Sequence, residues 1–163
     1  MTLAEAAANA DALAEQGNER ELADLRRKWD DELESAARSS DYRERAVAFR
    51  AIAQFRYRQK VELLARGLED ESPACRGSAV LSFEKLSREH PGVVNNVRRE
   101  LHELATRDDN EAVRRLAIMA LRNGSPQPET IRILAALAED DEQERELRDA
   151  AAKVAQALRR KGR

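Results

Sequence analysis

Apolar residues recur every three or four positions along almost the whole chain, which is the spacing of one buried face on an α-helix. In the clearest case, from Asp108 to Leu121, apolar side chains stand at positions 113, 116, 117, 120 and 121 behind residues that can cap a helix. Residues 1–38 hold two further stripes, one behind a Thr2–Glu5 capping box and one behind Gly17 and Asn18. These two stripes predict an N-terminal helical hairpin.

From residue 41 onward the pattern repeats, and the repeat is marked by an Arg followed three residues later by an Ala. The four arginines lie 31, 38 and 34 residues apart: Arg45, Arg76, Arg114 and Arg148. Seven positions after each Arg stands an apolar residue: Ile52, Phe83, Leu121 and Ala155. Helix-start residues precede each unit. The first three units continue into a second apolar stripe, the second of them opening at Pro91: Val61, Leu64, Ala65 and Leu68; Val94, Val97, Leu101, Leu104 and Ala105; and Ile131, Leu134, Ala135 and Ala138. We therefore divide a single domain, residues 1–163, into the hairpin 1–38, two-helix repeats at 41–70, 71–108 and 109–140, and a capping helix at 141–160.

The form D-x-x-x-V-R-x-x-A-x-x-x-L at Asp109 to Leu121 resembles HEAT repeats, particularly the short bacterial, PBS-lyase-type HEAT-like repeats. The resemblance covers about residues 41–160. It implies an all-α, right-handed α-α superhelix, a HEAT-like solenoid whose second helices line a concave surface. It also implies that each repeated Arg is structural and reaches an acidic residue near an inter-repeat turn, which here would be Asp70, Asp108 or Asp140. The first repeat departs from the pattern, because Glu44 stands where an apolar residue is expected.

Composition narrows the class of protein. Charged residues make up 37% of the chain and aromatic residues only 4%, which suits a thin helical structure in which nearly every element has a solvated face. One cysteine excludes an internal disulfide. No apolar run approaches the length of a membrane span, and the amino terminus lacks a signal-peptide pattern. We expect a cytoplasmic protein that does not associate with a membrane.

A metal site is the first candidate chemistry. His102-Glu103 begins the H-E-x-x-H zinc motif, but Thr106 stands where the second imidazole is required. The chain has two histidines and one cysteine, too few soft ligands for an ordinary zinc site. We predict no metal, no cofactor and no catalytic residue.

Cys75 and Trp29 are the other residues with a functional interpretation. Cys75 follows a helix start and precedes an arginine, an environment that can lower the pKa of a thiol. It also stands in the same repeat column as Val113 and Leu147, so we predict a buried structural cysteine. Trp29 lies on an apolar stripe, and we predict a place in the core rather than a role as a partner anchor.

Charge is unevenly distributed along the chain. Residues 42–66 hold seven cations and two carboxylates, and residues 55–60 interleave aromatics with cations, a composition that can bind phosphates and stack bases. Cations on the later second helices extend this set into a basic stripe on the predicted concave surface. The candidate partner-binding residues are Arg58, Lys60, Arg66, Arg98, Arg99, His102 and Arg132. Glutamates lie among them, as on an ordinary solvated helix face.

We therefore predict a non-enzymatic protein–protein interaction module, an adaptor or scaffold that binds an acidic partner on its concave, partly basic surface. Binding of nucleic acid through the same cations is the alternative, and it predicts a steep fall in affinity with salt. A further alternative comes only from the resemblance, since HEAT-like repeats also occur in bilin lyase subunits and alkylpurine DNA glycosylases. An enzyme-assisting, lyase-like protein would bind a tetrapyrrole, whereas a glycosylase would need an aromatic-lined pocket with a catalytic carboxylate.

Overall fold

The computed structural model describes residues 1–163 and is all-helical, with ten α-helices, one short 3-10 helix at Arg58–Lys60 and no strand. The α-helices are α1 (Leu3–Glu15), α2 (Glu19–Ala37), α3 (Tyr42–Gln54), α4 (Val61–Gly67), α5 (Pro73–Ser87), α6 (Gly92–Asn95), α7 (Arg98–Arg107), α8 (Glu111–Leu121), α9 (Pro128–Glu139) and α10 (Arg145–Lys161). Helices lie in every segment that the sequence defined, with two in the hairpin 1–38 and a single last helix, while the division into repeats stays a prediction.

Local sequence signals set several of the helix starts. The Thr2 hydroxyl accepts from the Glu5 N–H at 3.2 Å while the Glu5 carboxylate accepts from the Thr2 N–H at 2.9 Å, the predicted capping box. Asp41 and Asn110 cap α3 and α8 through their side-chain oxygens. Pro128 occupies the first turn of α9, where its missing N–H costs nothing.

The chain divides into two compact units, Met1–Leu86 and Ser87–Arg163. In the first unit α1, α2 and α3 pack on one another, so the N-terminal hairpin lies against the first repeat. Helix α5 packs close to α4, because a Cβ added at Gly67 would come within 2.9 Å of the Ala79 Cβ. The single domain predicted from chain length stays a prediction.

The four long helices of the second unit each pack on two others. Helix α7 packs on α8 and α9, and α10 packs on the same two helices.

The columns that define the repeat are buried in both units. The alanines three residues after each Arg are 0% exposed: Ala48, Ala79, Ala117 and Ala151. The column seven residues after each Arg is at most 2% exposed: Ile52, Phe83, Leu121 and Ala155. Glu44, the residue that departs from the pattern, is exposed. The alignment of the repeats therefore predicted these two core columns correctly.

Two helix boundaries differ from the sequence prediction. The second helix of repeat 2, expected to run on from Pro91, is split into α6 and α7, and the Asn95 side chain at the break accepts from the Ser125 N–H at 2.9 Å. The last helix begins at Arg145 rather than near residue 142, because the Asp140 carboxylate holds a turn by accepting from the Glu142 N–H at 3.0 Å.

The buried faces of two second helices match the predicted stripes only in part. In α9, Leu134 is buried as predicted, but Thr130 and Leu137 are buried as well while Ile131 is only half-buried. In α4, Leu64 is buried as predicted, together with Leu63 and Gly67, whereas Val61 is only half-buried. Apolar residues on these helices cover more than one face, so the periodicity alone could not select the buried one.

Candidate functional site

Two of the repeated arginines, Arg45 and Arg76, bind the turns that precede their own helices. In Arg45, Nε and Nη2 donate to the two carboxylate oxygens of Asp70 at 2.9 and 3.0 Å, while Nη1 donates to the Ser39 and Ser40 carbonyls. Arg76 binds backbone carbonyls in the same way as Arg45 does, since its Nη1 donates to the carbonyls of residues 70 and 71 at 2.9 and 3.2 Å. Burial alone would raise the pKa of Asp70, but the hydrogen bonds from Arg45 and the Ser72 N–H hold it below its usual value. These arginines are structural, as predicted.

Arg114 contacts the turn before α10 through a side-chain amide, whereas Arg45 contacts the carboxylate of Asp70 directly. Its Nη1 donates to the Gln143 side-chain oxygen at 2.9 Å, and the Gln143 amide donates to Asp140 at 3.0 Å. Its Nε donates to the Ala105 carbonyl at 2.9 Å. A side-chain amide thus stands between the Arg and the acidic residue predicted as its direct partner.

Three cations of the basic segment 42–66 are neutralised by acidic residues from outside it. Arg45 pairs with Asp70, and Arg56 Nη1 lies 2.7 Å from Asp11. Lys60 Nζ lies 2.6 Å from both Asp30 and Glu34, and the Lys60 side chain is only 13% exposed. Lys60 was predicted to contact a partner, but its ammonium is committed to these carboxylates of α2.

The aromatic residues of segment 55–60 are also used within the first unit. Phe55 is buried, and the Tyr57 hydroxyl donates to Asp30 at 2.9 Å. The Lys60 ammonium lies 5.0 Å from the centre of the Tyr57 ring, a cation–π contact. The residues that suggested phosphate binding and base stacking therefore serve the fold instead: Tyr57 and Lys60 hold α2 to the segment that follows α3.

Arg56 ends α3 with an unusual backbone conformation. Its φ is +53°, the left-handed region in which Gly17 ends α1 at +72°. The Arg56 and Tyr57 N–H groups donate back to the Ala53 and Ile52 carbonyls at 2.9 Å each, a Schellman motif. An arginine in place of glycine costs about 1 kcal/mol here, and its guanidinium gains the contact with Asp11 in return.

The remaining candidates of the second unit are Arg98, Arg99 and His102 on α7 and Arg132 on α9. Together with Glu103 of α7 and Glu129 of α9 they form what we call the α7–α9 surface. His102 Nε2 and the Thr130 hydroxyl share a hydrogen bond of 2.8 Å that joins the two helices. Arg98 donates to the Asn95 side chain at 2.6 Å, and both Arg98 and His102 are half-buried. Burial and the nearby positive charge of Arg98 lower the pKa of His102 against the opposing effect of Glu129, so the imidazole is neutral at pH 7.

Arg99 and Arg132 differ from the other candidates on this surface. Both are exposed, and neither forms a hydrogen bond or ion pair within the chain. In the first unit, Arg66 is also exposed and unpaired, and Arg58 is exposed. The seven predicted contact residues therefore separate into a group engaged within the fold and a group whose charges face solvent.

Sequence reasoning missed a groove between α8 and α10, which we call the α8–α10 groove. It encloses about 620 Å³ and is lined by Ala112, Arg115, Leu116, Met119, Arg122, Glu146, Asp149, Ala150, Lys153 and Val154. Leu116, assigned to the buried stripe, is only half-buried, and Met119 is 55% exposed. Met119 was the available signal, because it is a large apolar residue of α8 that lies outside the predicted stripe.

Cys75 and Trp29 lie in the core, as predicted. The Cys75 thiol donates to the Tyr42 carbonyl at 3.2 Å, and burial raises its pKa. No group of three or more His, Cys, Asp or Glu side chains is placed to hold a metal ion. None of the helices combines the length and the apolar character needed to cross a bilayer.

No protein-family model matches the chain, and no curated protein matches it significantly.

Proposed function

We propose that the chain is a non-enzymatic interaction module that binds an acidic protein surface through the α7–α9 surface. The observation that carries this proposal is the pair of exposed, unpaired arginines, Arg99 and Arg132, on two helices that pack side by side. Charges that already have partners within the fold, such as that of Lys60, contribute little to binding, because a partner would have to replace existing contacts. Unpaired surface charges carry no such cost.

The packing within the second unit supports a HEAT-like arrangement there. First helices pack on first helices, α8 on α10, and second helices pack on second helices, α7 on α9. In a solenoid of this kind the second helices line an extended surface that grips a peptide, a helix or another domain. The α7–α9 surface would be part of that binding face.

The charge pattern favours a protein partner over nucleic acid. Exposed Glu103 lies on α7 with Arg99, and exposed Glu129 lies on α9 with Arg132. A phosphate backbone carries a charge at every nucleotide, so it meets these carboxylates wherever it follows the surface. An acidic peptide or protein can place its Asp and Glu residues against the arginines and its neutral residues against the carboxylates.

The test is fluorescence anisotropy with a labelled Asp/Glu-rich peptide and with labelled single- and double-stranded nucleic acids, each at low and physiological salt. The variant carries Arg99→Glu and Arg132→Glu. Its matched control carries Arg20→Glu and Arg50→Glu, two exposed and unpaired arginines of the first unit, so both variants change the net charge equally. We expect the first variant to weaken peptide binding about tenfold and the control to change it far less.

Equal losses in the two variants would show that binding depends only on net charge and would contradict the α7–α9 assignment. Tighter binding of the nucleic acids than of the peptide, with a steep salt dependence lost in the first variant, would replace the protein partner with nucleic acid.

A further inference from the structure

The α8–α10 groove has an apolar floor on an otherwise strongly charged chain. On α8 its apolar residues are Ala112, Leu116 and Met119, spaced i, i+4 and i+7, so they form one stripe along the helix. Ala150 and Val154 supply the facing wall from α10. Leu116 and Met119 keep apolar surface in contact with water although neighbouring α8 residues are fully buried. Covering this floor would remove that apolar surface from water.

The charges along the rim of the groove are unbalanced once internal pairs are removed. Glu146 is bound by Arg115 across the groove, and Asp149 lies 3.9 Å from the Arg145 guanidinium on its own helix. Lys153 is exposed and makes no hydrogen bond or ion pair within the chain, and the Arg122 side chain likewise has no partner. The charge left for a partner is therefore positive.

A third cation strengthens this end of the groove. Lys161 Nζ donates to the Arg122 and Gly124 carbonyls, the latter at 3.3 Å, so its ammonium is held beside Arg122. Burial and the positive charge of Arg122 lower the pKa of Lys161. Like charges held together without a carboxylate are destabilising, and an acidic residue of a partner placed there would relieve the repulsion.

The dimensions of the groove suit a helix. Arg115 pairs with Glu146 at one end, and Arg122 and Lys153 line the other, so α8 and α10 run in the same direction along it. The seven residues from one end to the other correspond to about 10 Å, or two helical turns. A helix laid along it would place residues i, i+3 or i+4, and i+7 over the floor.

We propose that the α8–α10 groove binds an amphipathic helix of a partner protein, one whose apolar stripe is flanked by acidic residues. The apolar stripe would cover Leu116 and Met119, and the acidic flank would meet Arg122, Lys153 and Lys161. This site lies between α8 and α10 and does not rest on the α7–α9 surface.

The test uses the full chain and three labelled synthetic helical peptides of equal length. The first has a leucine stripe with glutamate flanks, the second has the same stripe with lysine flanks, and the third keeps the glutamates but has alanine in the stripe. We expect the first peptide to bind at least about tenfold more tightly than either of the others, because only it satisfies both the floor and the rim.

The protein variants are Met119→Glu and Lys153→Glu, both at exposed positions. The matched control is Leu81→Glu, which places the same charge at a 39% exposed apolar position of α5 in the first unit. Each groove variant should weaken binding of the first peptide about tenfold, while the control should leave its affinity unchanged. The Arg99→Glu/Arg132→Glu variant, which acts on the α7–α9 surface, should weaken it less than either groove variant. Far-UV circular dichroism of every variant checks that the fold is retained.

Three results would overturn the proposal. Equal or tighter binding of the lysine-flanked peptide would show that the partner is not acidic. An unchanged affinity of the first peptide for Met119→Glu would show that the peptide does not bind in the groove. A concentration-dependent dimer of the wild-type chain in sedimentation equilibrium, lost in Met119→Glu, would identify the occupant as a second copy instead.

Discussion

The cations of residues 42–66 and the cations of α7 and α9 look alike in the sequence, but they differ in the structure in whether a carboxylate of the chain pairs with them. In the first unit, Lys60 lies between Asp30 and Glu34, and Arg56 meets Asp11. In the second unit, Arg99 and Arg132 have no partner within the chain. A count of charges along the chain therefore overestimates the basic surface of the first unit, because the neutralising carboxylates come from α1 and α2.

The largest expected effect is on the free energy of unfolding, which should fall when a paired cation is removed but not when an unpaired one is. Lys60→Ala leaves the Asp30 and Glu34 carboxylates facing each other, and we expect it to lower the free energy of unfolding by about 2 kcal/mol. The loss stays below that of a fully buried pair because the two carboxylate side chains remain 36% and 34% exposed. Arg132→Ala should change the free energy of unfolding by no more than about 0.5 kcal/mol.

Urea denaturation followed by far-UV circular dichroism measures both variants. The fluorescence of Trp29, the sole tryptophan, reports on the first unit. If Arg132→Ala lowered the free energy of unfolding as much as Lys60→Ala, the distinction between cations paired within the fold and cations facing solvent would be wrong.

A smaller effect isolates the backbone strain at Arg56. Arg56→Gly and Arg56→Ala both remove the contacts with Asp11 and Glu15, but only glycine adopts a φ of +53° without strain. We expect Arg56→Ala to be about 1 kcal/mol less stable than Arg56→Gly in urea denaturation. Equal stabilities would mean that the end of α3 rearranges when the arginine is removed.

The smallest expected effect concerns pH. Burial lowers the pKa of His102, so its contribution to stability is present above its unfolded pKa of about 6.5 and is lost as pH falls through the folded value. The pKa of Asp30 is lowered by its hydrogen bond from Lys60, so its contribution is lost only as pH falls below about 4. The second unit should therefore lose stability at a higher pH than the first.

Urea midpoints at pH 7 and pH 5 test this difference. The wild-type chain should lose more stability over this interval than His102→Gln, whose amide can keep the hydrogen bond to Thr130 but cannot take up a proton. Identical losses of stability between pH 7 and pH 5 in the wild-type chain and His102→Gln would show that His102 is not the source of the pH dependence.

The sequence predicted the repeat core because two columns of the alignment face the same way in every first helix. The resemblance to HEAT repeats implied a structural role for Arg45, and its hydrogen bonds to Asp70 and to the Ser39 carbonyl agree with that expectation. The sequence could not predict which cations are free, because Lys60 is neutralised by residues 26 and 30 positions away on another helix. It missed the α8–α10 groove because Leu116 fits the buried stripe, and only the packing of α10 against α8 leaves it open.

We propose that a partner binds the charges left unpaired in the fold. A ¹H–¹⁵N correlation spectrum that includes the arginine Nε–Hε signals, titrated with the Asp/Glu-rich peptide, locates the bound residues. We expect shifts in the Arg99 and Arg132 signals and in the amides around them on α7 and α9, with the Arg45 and Arg56 signals unchanged. Shifts centred on the Arg56 signal and the backbone amides of α2, with Arg99 and Arg132 unmoved, would show that the unpaired charges do not bind the peptide.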